Sequence, residues 1–298
     1  MTTIPPGESR IPQKDRREHA REQARQLRTE GKKREHRRRL LWRGGIGLAL
    51  IAAAAVVALV LTQQTAPSGA GPLNMASDGI LLGGDGTSVT AATTPALTPG
   101  AQPVATDQTA LGDTVNISIY IDYLCPYCGQ FEATNAAQIT QWVTKGNATV
   151  EIHPMSILDT SSVGTKYSTR AANAAACVAN YDPNSFLTVN TALFANQPAE
   201  NTAGMTDEQL VSVIEGAGVN DPNIAGCITA GTFTSWVTAA SGRALGGPVA
   251  NADIPKITGT PTVIVNGVSY QGSLEDPKAF DAFVSTQAGA GGSALGGD

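Results

Sequence analysis

Histidine and cysteine are scarce in this sequence of 298 residues. Of its three histidines, His19 and His36 lie near the N-terminus, so only His153 falls in the remainder of the chain. With so few histidines, a histidine-rich metal site or catalysis by a serine–histidine or cysteine–histidine pair is hard to build beyond the N-terminal region. Four cysteines are also too few for a small protein held together by many disulfides.

Basic residues are scarce beyond position 43. Residues 1–43 contain 14 Lys/Arg against 6 Asp/Glu, a net charge of +8, whereas residues 44–298 contain 6 against 19, a net charge of −13. The acidic remainder would repel phosphate, which excludes a nucleic-acid binder built on the whole chain. We interpret residues 1–43 as a basic cytoplasmic arm, either a solvated tail that orients an anchor or a surface for anionic lipid or a cytoplasmic partner.

Charged residues are absent from residues 44–77, and residues 46–61 are almost continuously apolar. As a helix, residues 44–62 would span about 28 Å, close to the roughly 30 Å hydrocarbon core of a bilayer. Arginines crowd the N-terminal flank, so we expect a single-pass protein of the cell membrane with its N-terminus in the cytoplasm and the rest of the chain outside. The alternative is a signal peptide cleaved near Ser68-Gly69-Ala70, but the basic region and the apolar run are long for one, which favours an uncleaved signal-anchor.

Small and polar residues dominate residues 63–110, which are rich in Ala, Gly, Thr, Pro and Ser. Such a segment cannot bury a core of its own, so we predict a flexible extracytoplasmic tether, interrupted by one small hairpin near residues 79–91. Residues 111–286 are the only stretch able to form a sizeable core. Residues 287–298 are Gly- and Ala-rich and are predicted to be a disordered tail.

The patterns in residues 111–286 predict an α/β fold. A β-rich run is followed by a helical pattern, a second strand, a long helical block, a hairpin marked by Asn266-Gly267, and a last helix. In order, these elements lie at residues 115–124, 126–146, 149–153, about 158–248, 262–271 and from about 276.

Two cysteines separated by two residues lie where the first strand meets the first helix. Cys125 is expected at the N-terminus of the helix, where unpaired N–H groups and the helix dipole favour a thiolate and lower the pKa of the thiol. Pro126 suits the first helical turn, and Tyr127 offers a hydroxyl but no cation, so we expect a milder effect than a histidine would give. Cys128 lies one turn further in and is the expected resolving thiol.

This cysteine pair has three possible interpretations: a reversible redox centre, a fixed disulfide, or half of a zinc site. A zinc site needs four ligands. The remaining candidates, Cys177, Cys227 and His153, stand alone in the sequence instead of forming a second pair. We therefore favour redox chemistry, and we expect neither a metal nor a cofactor.

Cys177 and Cys227 both fall in the predicted helical block, each on an apolar helix face. Outside the cytoplasm the redox conditions permit a disulfide between them, and two buried free thiols are the alternative. We favour a structural disulfide, which would close a loop of about 50 residues and stabilise the fold by about 4 kcal/mol in the chain-entropy picture.

Two motifs carry a resemblance to a known family. IDYLCPYCGQFE at residues 121–132 and GTPTVIVNG at residues 259–267 resemble the DsbA-type disulfide oxidoreductases of the thioredoxin superfamily, most closely the membrane-anchored actinobacterial forms. The resemblance implies a thioredoxin-like fold, a mixed central sheet flanked by helices with an inserted helical domain. It also implies a cis-proline at Pro261 facing the cysteine pair, with the backbone of Thr260 free to pair with an extended substrate.

One position departs from the superfamily's habit of a buried acid six residues before the first cysteine. Ile119 stands there, and the nearest acid is Asp122, which matches related DsbA-like members. Asp122 is either a proton-transfer acid or a cap at the end of the strand. His153, at the end of the second strand, is interpreted as structural.

The sequence and the resemblance together predict an extracytoplasmic thiol:disulfide oxidoreductase. We expect it to donate disulfides to exported cysteine-containing proteins through Cys125 and Cys128, and to be reoxidised by a quinone-linked membrane oxidase, which the resemblance suggests is vitamin K epoxide reductase-like or DsbB-like. A disulfide reductase or isomerase using the same cysteines is the first alternative. A membrane-tethered Cu(I)- or Zn(II)-binding module and an interaction module are alternatives of another class.

Overall fold

The computed structural model describes residues 69–289. The predicted cytoplasmic arm, the membrane helix at residues 44–62 and residues 290–298 of the predicted tail lie outside the described residues. Within residues 69–289, none of the helices has the length and the apolar character needed to cross a bilayer.

A mixed sheet of six strands forms the centre of the described structure. Its spatial order is β2-β1-β4-β3-β5-β6, in which β3 and β4 run parallel and every other neighbouring pair is antiparallel. The predicted α/β fold with a mixed sheet is therefore confirmed. The strands are β1 (Ile80–Gly84), β2 (Val89–Ala91), β3 (Val115–Ile121), β4 (Ala148–Pro154), β5 (Thr262–Val265) and β6 (Val268–Ser269).

β3 lies inside the sheet, between β4 and β5. Its side chains alternate between the two faces, as in any strand. Ile117, Ile119 and Ile121 enter the main hydrophobic core together with Phe131 and Phe280. The predicted strand extended to residue 124, but the pairing of β3 with β4 ends at Ile121, because the following residues turn into the first helix.

Residues 69–289 also form seven α-helices. α1 packs on β4 and β1, and α7 packs on α1 and β3. Helices α2 to α6 all lie between β4 and β5 in the chain, so the sheet is interrupted by a helical insertion, inside the predicted limits of about 158–248. The helices are α1 (Pro126–Thr144), α2 (Tyr167–Tyr181), α3 (Phe186–Ala195), α4 (Asp207–Gly216), α5 (Pro222–Ala230), α6 (Thr234–Gly246) and α7 (Pro277–Gly289).

The prediction of a flexible tether is wrong for residues 69–110. The expected hairpin is present, but its first strand pairs with β4, with Ile80 opposite Ile152, and so extends the main sheet. Ile80 and Leu82 are completely buried. The hydrophobic side chains of β1 fill the core while its backbone covers the edge of β4, which would otherwise leave N–H and C=O groups unpaired.

The rest of this N-terminal segment is also fixed to the domain. The Leu73 N–H donates to Asn180 Oδ1 at 2.9 Å, and the Asn251 side-chain amide donates to the Thr106 carbonyl at 2.8 Å. The prediction of a disordered tail is wrong for residues 287–289, because α7 extends to Gly289 and buries Ala288.

Candidate active site

The end of β3 and the start of α1 place the two cysteines one helical turn apart. Cys125 has the extended backbone of a helix N-cap, and Pro126 occupies the first helical position, where its missing N–H costs no helical bond. The Cys125 N–H donates to the Asp122 carbonyl at 2.9 Å, which closes the turn out of the strand. Both thiols are free.

The two thiols occupy unequal environments. Cys125 is 4 % exposed and Cys128 is 1 % exposed. The pKa of Cys125 is lowered to about 6, chiefly by the hydrogen bond from the Cys128 thiol, with smaller contributions from the side chain of Thr260 and the backbone N–H groups of Cys128 and Tyr127, while burial opposes them. Burial raises the pKa of Cys128 well above its usual value, and the neighbouring Cys125 adds to that increase.

This inequality assigns different chemistry to the two sulfurs. Because the thiolate is the nucleophile in disulfide exchange, the thiol with the lower pKa is the one that attacks and the one that leaves most readily. Cys125 fits that role, and Cys128 fits the role of the buried resolving thiol. Tyr127, between them, is 61 % exposed and lies at the rim of the site.

The loop before β5 faces Cys125. The antiparallel pairing of β5 with β3 sets Thr262 opposite Tyr120, which brings the preceding loop beside the start of α1. The Cys125 Sγ lies 3.1 Å from the Thr260 carbonyl oxygen, and the Thr260–Pro261 peptide bond is cis. The Thr260 hydroxyl is buried and has no hydrogen-bond partner among the described residues, so it is free to donate to a thiolate.

Asp122 is completely buried beside the site. Its Oδ1 accepts from the Leu124 N–H at 2.9 Å, and its Oδ2 accepts from the N–H groups of Ile157 and Leu158 at 2.8 and 2.9 Å. Burial raises the pKa of Asp122, and hydrogen bonds led by that of the Leu124 N–H oppose the increase. With three backbone donors occupying its carboxylate, the geometry favours the strand-end cap over proton transfer.

The other sequence candidates lie outside the site. Cys177 of α2 and Cys227 of α5 form a disulfide, with Cα atoms 5.9 Å apart, inside the helical insertion. His153 stacks on Tyr120, with ring centroids 4.2 Å apart, and its Nε2 lies 3.9 Å from a carboxylate oxygen of Glu151. Within residues 69–289, no group of three or more His, Cys, Asp or Glu side chains has a metal-binding arrangement.

The sequence analysis missed a buried acid, Glu132, one turn after Cys128 on α1. Its carboxylate accepts from the Thr191 hydroxyl at 2.7 Å, and burial raises its pKa. The superfamily's usual position for this acid is on β3, at residue 119, whereas Glu132 lies on the helix. The i to i+4 spacing from Cys128 was the available signal.

A second missed residue is Gln197, at the end of α3. Its side-chain amide reaches the backbone of the turn that carries Cys125. No local pattern marks this glutamine, because its partners lie more than 70 residues away in the chain.

Disulfide exchange requires a thiol that ionises readily, a second thiol within bonding reach, and an adjacent backbone where a peptide can lie. These requirements are met where β3, α1 and the loop before β5 converge, and the class they define is the DsbA-type thiol–disulfide oxidoreductases. The sequence model of the thioredoxin family matches residues 108–286, and the chain belongs to that family. Its fold is therefore thioredoxin-like, as the resemblance implied.

Two solved structures from Mycobacterium tuberculosis illustrate the likeness. DsbA in its reduced form is 28 % identical, with a TM-score of 0.53 over 71 % of this chain and 93 % of that one. The reduced form of the oxidoreductase DsbG is 32 % identical, with a TM-score of 0.50 over 59 % of this chain and 78 % of that one.

A curated relative matches this chain over a small part of its own length. The serine/threonine-protein kinase PknE of Mycobacterium tuberculosis is 34 % identical over 135 residues, which are 43 % of this chain and 24 % of the kinase. The aligned region thus spans about a quarter of that relative's length.

Proposed function

We propose that this protein is an extracytoplasmic oxidase that donates the Cys125–Cys128 disulfide to exported proteins. The observation that carries the proposal is the unequal acidity of the two thiols, with the pKa of Cys125 lowered to about 6. A stabilised thiolate favours the reduced form of the pair, and each pKa unit of such stabilisation makes the pair more oxidising by about 30 mV. A pair with this property is expected to transfer its disulfide readily to a substrate dithiol.

The reaction is two successive exchanges. A substrate thiolate attacks Sγ of Cys125, the Cys125–Cys128 bond breaks, and Cys128 leaves with the electron pair and is protonated. A second substrate thiolate then attacks the substrate sulfur of the mixed disulfide and expels Cys125 as a thiolate. Two electrons pass from the substrate dithiol to the enzyme pair, and the backbone of Thr260, beside Cys125, is placed to hold the substrate strand.

Turnover requires an external oxidant, because each cycle leaves Cys125 and Cys128 reduced. We assign this role to a quinone-linked membrane oxidase of the vitamin K epoxide reductase-like or DsbB-like kind. We also assign the apolar residues 44–62 to a membrane anchor with a cytoplasmic N-terminus, on the strength of their composition and their arginine-rich flank. Protease treatment of spheroplasts tests this topology: residues 69–289 should be digested from outside, and their protection would contradict it.

Trapping in cells tests the exchange itself. The Cys128→Ala variant keeps Cys125, whose thiolate can attack the disulfide of an oxidised exported protein and displace one of its sulfurs as a thiolate. The variant lacks the second enzyme thiol that would displace the captured protein again, so mixed disulfides should accumulate on Cys125 and be released by reductant. Adding Cys125→Ser to the same variant is the matched control and should abolish capture. Purified oxidised protein should also oxidise a reduced test protein stoichiometrically. If the oxidised protein oxidises no test protein while the reduced protein, supplied with dithiothreitol, reduces insulin disulfides, the oxidase direction is wrong.

A further inference from the structure

The helical insertion reaches the active site through one side chain. Gln197 follows the last turn of α3, where its own N–H donates to the Phe194 carbonyl at 3.1 Å. Its Nε2 donates to the carbonyl oxygens of Tyr123 at 3.1 Å and of Cys125 at 2.9 Å. One amide group thus holds both ends of the turn between β3 and α1.

The same helix also fixes the side chain of Tyr123. The rings of Tyr123 and Phe194 lie 5.0 Å apart, and the Tyr123 hydroxyl donates to Asn190 Oδ1 at 3.0 Å. Tyr123 is 1 % exposed. The position of the turn is therefore determined by α3 as well as by the strand before it and the helix after it.

Gly129 makes room for this contact. It lies in the first turn of α1, and its N–H donates to the Cys125 carbonyl at 3.1 Å. A Cβ at position 129 would collide with Oε1 of Gln197. Glycine is unfavourable inside a helix compared with alanine, so its presence here is explained by the space that the glutamine side chain needs.

We propose that Gln197 is a positioning residue for disulfide exchange, holding the carbonyl of Cys125 so that the thiolate of that residue is favoured. The inference rests on the proposed function. The Cys125 carbonyl oxygen carries a partial negative charge in the same residue as Sγ, and this charge disfavours the thiolate. The Gln197 amide is the second donor to that oxygen, after the Gly129 N–H, and offsets part of the charge. The contact also keeps the N–H groups of the first turn directed towards the sulfur. Both effects stabilise the reduced form more than the disulfide form.

Three single variants of the full chain test the inference. Gln197→Ala removes the donor, and Gln197→Glu replaces it by a carboxylate that cannot donate. Asn196→Ala is the matched control, because among the described residues the Asn196 side chain bonds only to the Ala192 carbonyl of its own helix. The Cys125 thiolate is titrated by its ultraviolet absorbance, and the equilibrium with glutathione is measured for each protein.

In Gln197→Ala, the acid dissociation constant of Cys125 should fall by about threefold, which favours the thiol. The equilibrium with glutathione should shift by about the same factor towards the Cys125–Cys128 disulfide. The shift should be larger in Gln197→Glu and absent in Asn196→Ala. Gly129→Ala should reproduce the Gln197→Ala shift by displacing the glutamine, and the double variant should shift no further, because the two changes remove the same contact.

Chemical unfolding of both redox forms separates positioning from mere support. If Gln197→Ala destabilises the reduced and the oxidised protein equally and leaves the Cys125 titration unchanged, the inference is overturned. If the variants agree with the wild type in every measurement, it is overturned as well, while the proposed function stands. If wild-type Cys125 titrates like a free thiol and exchanges with no peptide thiol, the proposed function itself fails.

Discussion

The four cysteines form two pairs that are equally buried and chemically opposite. Cys125, Cys128, Cys177 and Cys227 are 4 %, 1 %, 0 % and 5 % exposed. Cys177 and Cys227 join two helices of the insertion, whereas Cys125 and Cys128 are free thiols at the start of α1. Burial therefore does not distinguish a structural cysteine from a reactive one; the N–H donors and polar groups around the sulfur do.

Substituting one cysteine of each pair should separate the two roles most clearly. Cys125→Ser removes the attacking sulfur, so oxidation of a reduced peptide should fall by at least about a thousandfold, since a serine hydroxyl does not take part in disulfide exchange. Folding should be unaffected, because both residues are small. Substantial oxidation by this variant would remove the basis of the comparison.

The double variant Cys177→Ala, Cys227→Ala should show the reverse behaviour. Breaking this loop of about 50 residues should lower the free energy of unfolding by up to about 4 kcal/mol. The Cys125 titration and the rate of peptide oxidation, measured well below the melting temperature, should remain those of the wild type. An altered Cys125 titration in the folded variant would show that the two pairs are coupled.

Asp122→Asn tests whether the acid beside the reactive pair is a cap. Replacing one carboxylate oxygen by an amide N–H leaves backbone donors unpaired, which should cost about 1–3 kcal/mol of stability. Both redox forms should be destabilised alike, with no change in the pH dependence of exchange. A change confined to that pH dependence would restore the proton-transfer role for Asp122.

The pH dependence of stability should differ between the redox forms. The pKa of Cys125 is about 6 in the folded reduced protein and about 8.5 in an unfolded chain. The Cys125 thiolate therefore stabilises the folded reduced protein fully above about pH 8.5, and this stabilisation is lost as the pH falls through 6. Between these values the stability of the reduced form should rise relative to the oxidised form by up to about 1.4 kcal/mol per pH unit. Unfolding curves at several pH values measure the difference, and parallel curves for the two forms would contradict it.

The local features of the site were predictable from the sequence. The cysteine spacing, Pro126 and the Asn266-Gly267 hairpin each depend on neighbours in the chain, and the hairpin forms between β5 and β6. The capping box at Thr206 and Gln209 was predictable for the same reason and is present. A pattern of a few residues is sufficient to predict a structural feature when the contacts that stabilise this feature are local.

Contacts between distant segments were not predictable in this way. The hairpin of β1 and β2 was predicted, but the pairing of β1 with the distant strand β4 left no local signal in the sequence. Gln197 has no sequence signal, because its role depends on how the insertion is placed on the sheet. The i to i+4 spacing places Glu132 on the same face of α1 as Cys128, but its burial depends on α3, which covers that face and supplies Thr191.

The pairing of β1 with β4 has a practical consequence for any fragment of this protein. The family match begins at residue 108, yet a polypeptide cut there would lack β1 and β2 and would present β4 as an open edge. It would also lose Ser77 and Thr106, whose hydroxyls donate to the buried Glu151 carboxylate. Such a truncation would remove two hydrogen bonds from this carboxylate and leave a strand able to pair with another copy, which favours aggregation.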